Sequence, residues 1–153
     1  IAGFVMFGDI EITERAAEEL LARCPEHDVV ITAETKGIPL CYEMARRGCR
    51  RYVVARKSVK AYMRNCIHVE VKSITTDHVQ DLYLSEDDYK DLAGKRVLIV
   101  DDVISTGESL AAIEKLVHEF GGNVVGRACV LAEGDAAKRD DIIFLEPLPL
   151  FVK

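Results

Sequence analysis

The stretch RVLIVDD (96–102) constrains the fold more than any other part of the chain. Four apolar residues, Val97 to Val100, run without a break into two adjacent carboxylates. A strand with one wet face would alternate; an unbroken apolar run belongs to a strand covered on both faces, as in a parallel sheet. The next segment agrees. From Leu110 the apolar residues fall at Ile113, Leu116, Val117 and Phe120, the spacing of one helix face, and Gly121-Gly122 stops the helix. NVVGRACVLAEG (123–134) then reads as another strand.

The same alternation runs through the rest of the chain. DVVITAE (28–34) reads as a buried strand. IPLCYEMARRG (38–48) reads as a helix, with Pro39 in its first turn and Gly48 beyond its end. RRYVVAR (50–56) and DIIFLEPL (141–148) read as further strands, and VQDLYL (79–84) alternates like a hairpin arm. The stretch 57–78 is polar and shows no sustained helical period. Strand–helix–strand repetition predicts an α/β architecture, a Rossmann-like parallel sheet flanked by helices. With 153 residues, 49% of them apolar, and no linker or repeat, a single domain over 1–153 is expected.

Composition narrows the partners. The 20 basic and 26 acidic residues leave a formal charge of −6, so the global basic field of a nucleic-acid binder is missing and no nucleic-acid partner is expected. No apolar run reaches the eighteen or so residues of a membrane span. No signal-peptide pattern leads the sequence, which opens on Ile1, so a short preceding piece is expected. The five cysteines share no C-x-x-C spacing and the histidines do not cluster near them. Free thiols in a reducing cytoplasm are expected, and no protein-held metal.

In such sheets ligands sit outside the carboxyl ends of the strands. Three strands here end in chemistry: AETKG (33–37), RKSVK (56–60) and DDVISTGES (101–109). Asp101 and Asp102 are neighbours on a strand and point in opposite directions, so they do not form one metal clamp. Carboxylates only accept hydrogen bonds, so hydroxyls are their natural partners. Ser105, Thr106, Gly107, Glu108 and Ser109 then span the turn and the first helical turn. Free N–H groups and the helix dipole favour an anion there. A phosphate beside a pair of hydroxyls describes a ribose 5-phosphate. Ordinary strand-end and capping chemistry competes with this reading for the carboxylate pair alone. Neither a G-K-[ST] loop nor a G-x-G-x-x-G fingerprint is present.

These residues resemble a known family. VLIVDDVISTGES is similar to the phosphoribosyl pyrophosphate signature of type I phosphoribosyltransferases, AETKG to their pyrophosphate loop, and ARK (55–57) to their second-strand basic residues. MFGDIEI (6–12) resembles the hood segment of adenine phosphoribosyltransferases, with Gly8 where many have arginine. The resemblance implies the type I phosphoribosyltransferase fold with a small hood, from about 1–12 and 133–153, and a flexible hairpin lid, about 57–80. It implies that Asp101 and Asp102 bind the ribose hydroxyls and that Ser105 to Ser109 bind the 5-phosphate. Glu108 departs from the usual neutral residue. Glu34, Thr35, Lys36, Gly37, Arg56, Lys57 and Lys60 would hold the leaving pyrophosphate, with magnesium bound through the donor. A solvated basic loop is the competing reading of 57–64. Asp81 falls nearest to the lid carboxylate of the adenine enzymes, or is a surface turn residue. Phe7 is a candidate for stacking on the base, or a core phenylalanine.

Two functions stay open. One is a cytoplasmic purine phosphoribosyltransferase, adenine its expected base, acting in nucleotide salvage. The other is a non-catalytic regulatory domain that senses the donor or a nucleotide, which the acidic charge disfavours. An orotate- or xanthine-type enzyme is a smaller alternative, since no basic residue is at hand near the hood for a carboxylated base. Folds of this kind commonly pair, so a homodimer is expected, with Leu40, Cys41 and Met44 as a candidate face.

Overall fold

The structure, a computed structural model, describes residues 6–72 and 79–149. Five strands form the main sheet: β1 (Val29–Ala33), β2 (Tyr52–Ala55), β5 (Arg96–Ile104), β6 (Asn123–Glu133) and β7 (Ile143–Leu148). Their order is β2-β1-β5-β6-β7 and every pairing is parallel. Two more strands, β3 (Ile67–Lys72) and β4 (Val79–Leu84), form a separate antiparallel hairpin. The helices are α1 (Ile10–Arg23), α2 (Ile38–Arg47), α3 (Glu86–Leu92) and α4 (Glu108–Glu119).

Two apolar clusters cover the sheet. Val30, Leu98, Val100, Ala128 and Val130 pack against Ala16, Ala17 and Leu20 of α1 and Leu40, Cys41 and Met44 of α2. On the other face Val29, Ile31, Val97 and Ile99 pack against Leu110, Ile113, Leu116 and Val117 of α4, with Val69, Leu82 and Leu84 of the hairpin. Each large side chain removed from water contributes about 1.5–3 kcal/mol. The side chains of Leu40, Cys41 and Met44 are fully buried by α1 and the sheet, so this α2 face is not available for pairing.

The chain leaves β1 toward β2 through α2, and leaves β5 in the opposite direction, toward β6, through α4. Adjacent β1 and β5 therefore form the switch point of the sheet, where the loops beyond their carboxyl ends diverge and open a crevice.

Three elements go beyond what the sequence pattern predicts. Helix α1 begins at the end of the expected hood segment, about 1–12, and continues through residues 13–23, to which the pattern assigns no element. It starts at Asp9, whose side chain accepts from the Ile12 N–H at 3.0 Å, and it buries Thr13, Ala16, Ala17 and Leu20. That stripe has helical spacing, but its small side chains give little apolar signal. Helix α3 opens on a capping box in which the Ser85 N–H donates to Asp88 Oδ2 at 2.9 Å. Strand β3 lies within the polar stretch expected to be lid, and Val69, Leu82 and Leu84 seat the hairpin on the core. The expected lid is thus anchored along this face, and its residues 73–78 lie outside the described residues. Within the second hood segment, Ile143–Leu148 forms the strand that the sequence pattern places there, and it lies at the edge of the main sheet beside β6.

Candidate active site

The site forms where β1 and β5 end. Asp101 and Asp102 lie on β5, which runs to Ile104. Asp101 Oδ1 accepts the Asp102 N–H at 2.8 Å, and Asp102 Oδ1 accepts the Val103 N–H at 2.8 Å. Burial, together with the adjoining Asp102 carboxyl, pushes the Asp101 carboxyl well above the ordinary carboxylate range; Lys57 acts in the opposite sense. Asp102 is 6% exposed. A buried carboxyl held by backbone N–H groups has a fixed direction and spare acceptor capacity, which suits the recognition of hydroxyls.

The loop after β1 reaches the same point. Gly37 begins α2, and a Cβ placed on it would lie 2.5 Å from Thr32 Oγ1 and 3.1 Å from Asp101 Oδ1. Only glycine lets this backbone rest on Asp101. Residues 34–37 and Asp101 therefore share one mouth. The Glu34–Thr35 peptide is cis. Lys36 and Thr35 are exposed there.

Glu34 ties this loop to the end of β2. Its Oε1 accepts from Arg56 Nε at 2.6 Å and from the Lys57 N–H at 3.2 Å. The Arg56 guanidinium, its principal partner, holds the Glu34 carboxyl below its usual range. Arg56 also donates to the Tyr62 hydroxyl. Its charge is thus engaged within the protein, whereas the sequence pattern leaves it free for an anion. Lys60 Nζ donates to Ser58 Oγ at 2.9 Å, and Lys57 is exposed.

On the other side of Asp102 the chain turns into α4. Gly107 caps the helix with φ +83°, in the left-handed region, where a side chain would be strained. Thr106 Oγ1 accepts the Glu108 N–H at 3.3 Å. Ser105 Oγ donates to Glu133 Oε1 at 2.9 Å, which links the loop to the end of β6. Three residues of this region are not evident from sequence reasoning: Thr32, Glu133 and Arg139. Glu133 ends a fourth strand, β6, and Arg139 follows it; the same strand-end rule applied to EGDAAKR (133–139) draws attention to both.

The remaining candidates lie apart. Phe7 is 49% exposed, so it is not a core residue. It lines a cavity of about 260 Å³ between the start of α1 and α2, with Met6, Ile10, Pro39 and Tyr42 among its walls. None of the residues at the strand ends lines that cavity. Asp81 lies opposite Glu70 in the hairpin. His68, Glu70 and Asp81 each present a ligand atom within 4.8 Å of the other two, and Asp81 Oδ1 is buried without a hydrogen-bond partner. The hairpin is joined to the site by Arg56, whose N–H donates to the Tyr83 carbonyl at 2.9 Å.

The sequence pattern of the phosphoribosyl transferase domain family matches residues 6–148. The chain belongs to this family. The phosphoribosyl transferase domain is 34% identical over 110 residues to the purine biosynthesis transcriptional repressor PurR of Bacillus subtilis, covering 71% of this chain and 38% of the repressor. It is 35% identical over 112 residues to the hypoxanthine/guanine phosphoribosyltransferase of Methanococcus voltae, covering 73% of this chain and 56% of that enzyme. The chain thus spans about half the length, or less, of these relatives. Its fold is also that of the adenine phosphoribosyltransferase from Thermoanaerobacter pseudethanolicus, with a TM-score of 0.74, 24% identity, and coverage of 92% of this chain and 82% of that one. No helix among the described residues is long and apolar enough to cross a membrane.

Proposed function

We propose that this chain is a purine phosphoribosyltransferase. It transfers ribosyl 5-phosphate from phosphoribosyl pyrophosphate to a ring nitrogen of the base and releases pyrophosphate. Adenine is the proposed acceptor and nucleotide salvage the proposed role. The observation that carries the reading is the contact of Gly37 with Asp101, because it joins the loop read as the pyrophosphate site to the carboxylates read as the ribose site.

In this reading Asp101 and Asp102 accept the ribose hydroxyls, and the loop from Ser105 through Ser109 takes the 5-phosphate at the start of α4. The Glu34–Gly37 backbone, Lys36 and Lys57 face the leaving pyrophosphate, and Arg56 shapes that loop through Glu34. Lys60 acts from the following loop. Bond breaking leads in such transfers, so stabilising the departing charge matters more than activating a nucleophile. The donor atoms in the crevice are carboxylate and hydroxyl oxygens, which fit a hard cation, and Asp101 Oδ1 lies 3.1 Å from a Cβ placed on Gly37 of the pyrophosphate loop. Magnesium carried by the donor supplies positive charge to the diphosphate when bound. Asp81 is the proposed lid carboxylate and Phe7 the proposed base-stacking residue. A cytoplasmic homodimer, with no nucleic-acid partner, is the proposed state. Tyr42 and Tyr52, packed edge to face at 5.8 Å and both exposed, support pairing through a surface other than the buried face of α2.

Incubating the pure protein with donor, magnesium and each free base, and detecting nucleotide, tests the reading. Nucleotide formed fastest with adenine supports it. Donor binding without nucleotide from any base favours a second reading, a regulatory domain that senses the donor. The likeness to the Bacillus subtilis repressor supports that alternative.

A further inference from the structure

We infer that Arg139 is a phosphate-binding residue of this site, which takes an oxygen of the sugar 5-phosphate through Nη1. The inference rests on the donor-binding reading above but concerns a residue outside the motifs that support it.

Three observations carry it. First, the guanidinium lies against the loop: a Cβ on Gly107 would sit 2.6 Å from Arg139 Nη1 and 3.9 Å from Cζ. Glycine is needed at 107 for its φ of +83° and also for the approach of this cation. Second, the orientation is fixed. Arg139 Nε donates to Asp141 Oδ1 at 2.8 Å and Nη2 to Asp141 Oδ2 at 2.7 Å. Asp141 thus engages one edge of the fork and leaves Nη1, the nitrogen over Gly107, directed at the loop. Third, the anchor is firm. Arg139 follows the short 3-10 turn Gly134–Lys138, its N–H donates to the Ala136 carbonyl at 3.1 Å, and Ala136 and Ile142 on either side are buried.

The charge balance calls for such a cation. Glu108 opens α4, Glu133 bonds to Ser105, and Asp102 precedes the loop on β5. A phosphate entering here meets several carboxylates. The helix N-terminus offers about half a unit of positive charge, too little to offset them. Asp141 offsets part of the Arg139 charge, and Nη1 still offers the loop a charge-assisted donor suited to a phosphate oxygen. Its side chain is 34% exposed, so an anion can reach it.

Calorimetric titration with ribose 5-phosphate and with inorganic pyrophosphate tests this on wild type, R139Q, R139K and K138Q. Lys138 is the adjacent surface cation, 83% exposed. R139Q is expected to weaken ribose 5-phosphate binding at least tenfold and to leave pyrophosphate binding unchanged. R139K is expected to recover part of the loss, and K138Q to match wild type. Wild-type affinity of R139Q for ribose 5-phosphate overturns the inference and leaves the donor reading intact. An equal loss in K138Q also overturns it, since the effect would then be diffuse charge. Absence of ribose 5-phosphate binding by the wild-type protein removes both. A melting curve for each variant, with R139K as the conservative partner, separates lost binding from lost folding.

Discussion

Replacing Asp101 by asparagine is expected to stabilise the protein while it impairs the site. Burial, and then the adjoining Asp102 carboxyl, raises the proton affinity of Asp101 in the folded state. Its unfolded counterpart titrates near the ordinary value of about 4. Above that pH the folded protein holds a proton that the unfolded chain has released, so stability falls as pH rises through the window up to the raised folded value. One proton contributes a slope of at most about 1.4 kcal/mol per pH unit. Between pH 5 and 7 this amounts to about 2–3 kcal/mol, or roughly 4–12 °C in Tm for a chain of this length. An asparagine at this position does not titrate, and its amide oxygen can still accept the Asp102 N–H that Asp101 Oδ1 holds at 2.8 Å. Thermal melts of both proteins at half-unit steps from pH 5 to 7.5 should show Asp101→Asn gaining on wild type as pH rises. Donor binding should weaken by about 0.5–1.5 kcal/mol, the worth of a hydrogen bond to a neutral acceptor. Parallel pH profiles for the two proteins would refute the argument that Asp101 is a buried carboxyl under strain from its neighbour.

Gly37→Ala places a methyl 2.5 Å from Thr32 Oγ1 and 3.1 Å from Asp101 Oδ1. It should cost about 1–3 kcal/mol in urea unfolding and weaken pyrophosphate binding, because the loop must lift away from Asp101. Ser85→Ala removes the capping box of α3 and should lower stability by about 0.5–2 kcal/mol without changing donor affinity. Phe7→Ala touches no core contact, so stability should shift by less than about 0.5 kcal/mol. If Phe7 stacks on the base, kcat/KM for adenine falls while the donor-induced rise in Tm is kept; an unchanged kcat/KM removes Phe7 from the base site.

What can be read from sequence depends on the size of the apolar signal. Strands β1, β2 and β5 and helices α2 and α4 carry Val, Ile and Leu at clear spacings, and they appear where the spacing places them, with β5 two residues longer. Helix α1 escapes because it packs through Thr13, Ala16 and Ala17. Helix α3 escapes because it is seven residues long and buries Leu92 alone. At the candidate site, the carboxylate pair and the turn from Ser105 to Ser109 are contiguous in sequence, so they can be picked out together. Glu133 and Arg139 reach the same loop from the end of another strand, and local spacing cannot show that. The engagement of Arg56 by Glu34 is equally hidden, since 22 residues separate the partners and only the pairing of β1 with β2 brings them together.

The arrangement also accounts for how one fold serves relatives as different as a repressor and phosphoribosyltransferases. The parts read as holding the sugar phosphate hang from β1 and β5, adjacent strands in the sheet, and are fixed by backbone contacts such as Gly37 on Asp101. The parts read as meeting the base lie at the periphery. Phe7 precedes α1 and lines its own cavity, and Asp81 is carried by a hairpin outside the main sheet. No strand-end residue lines the cavity of Phe7, so replacing Phe7 leaves the central contacts unstrained. A central crevice kept constant while its rim changes can accept one donor and many bases, or bind the donor without turning it over. On the proposed reading, selection among bases acts on Phe7, on the hairpin and on the walls of the α1–α2 cavity, whereas changes at Asp101, Asp102 or Gly107 act on every substrate alike.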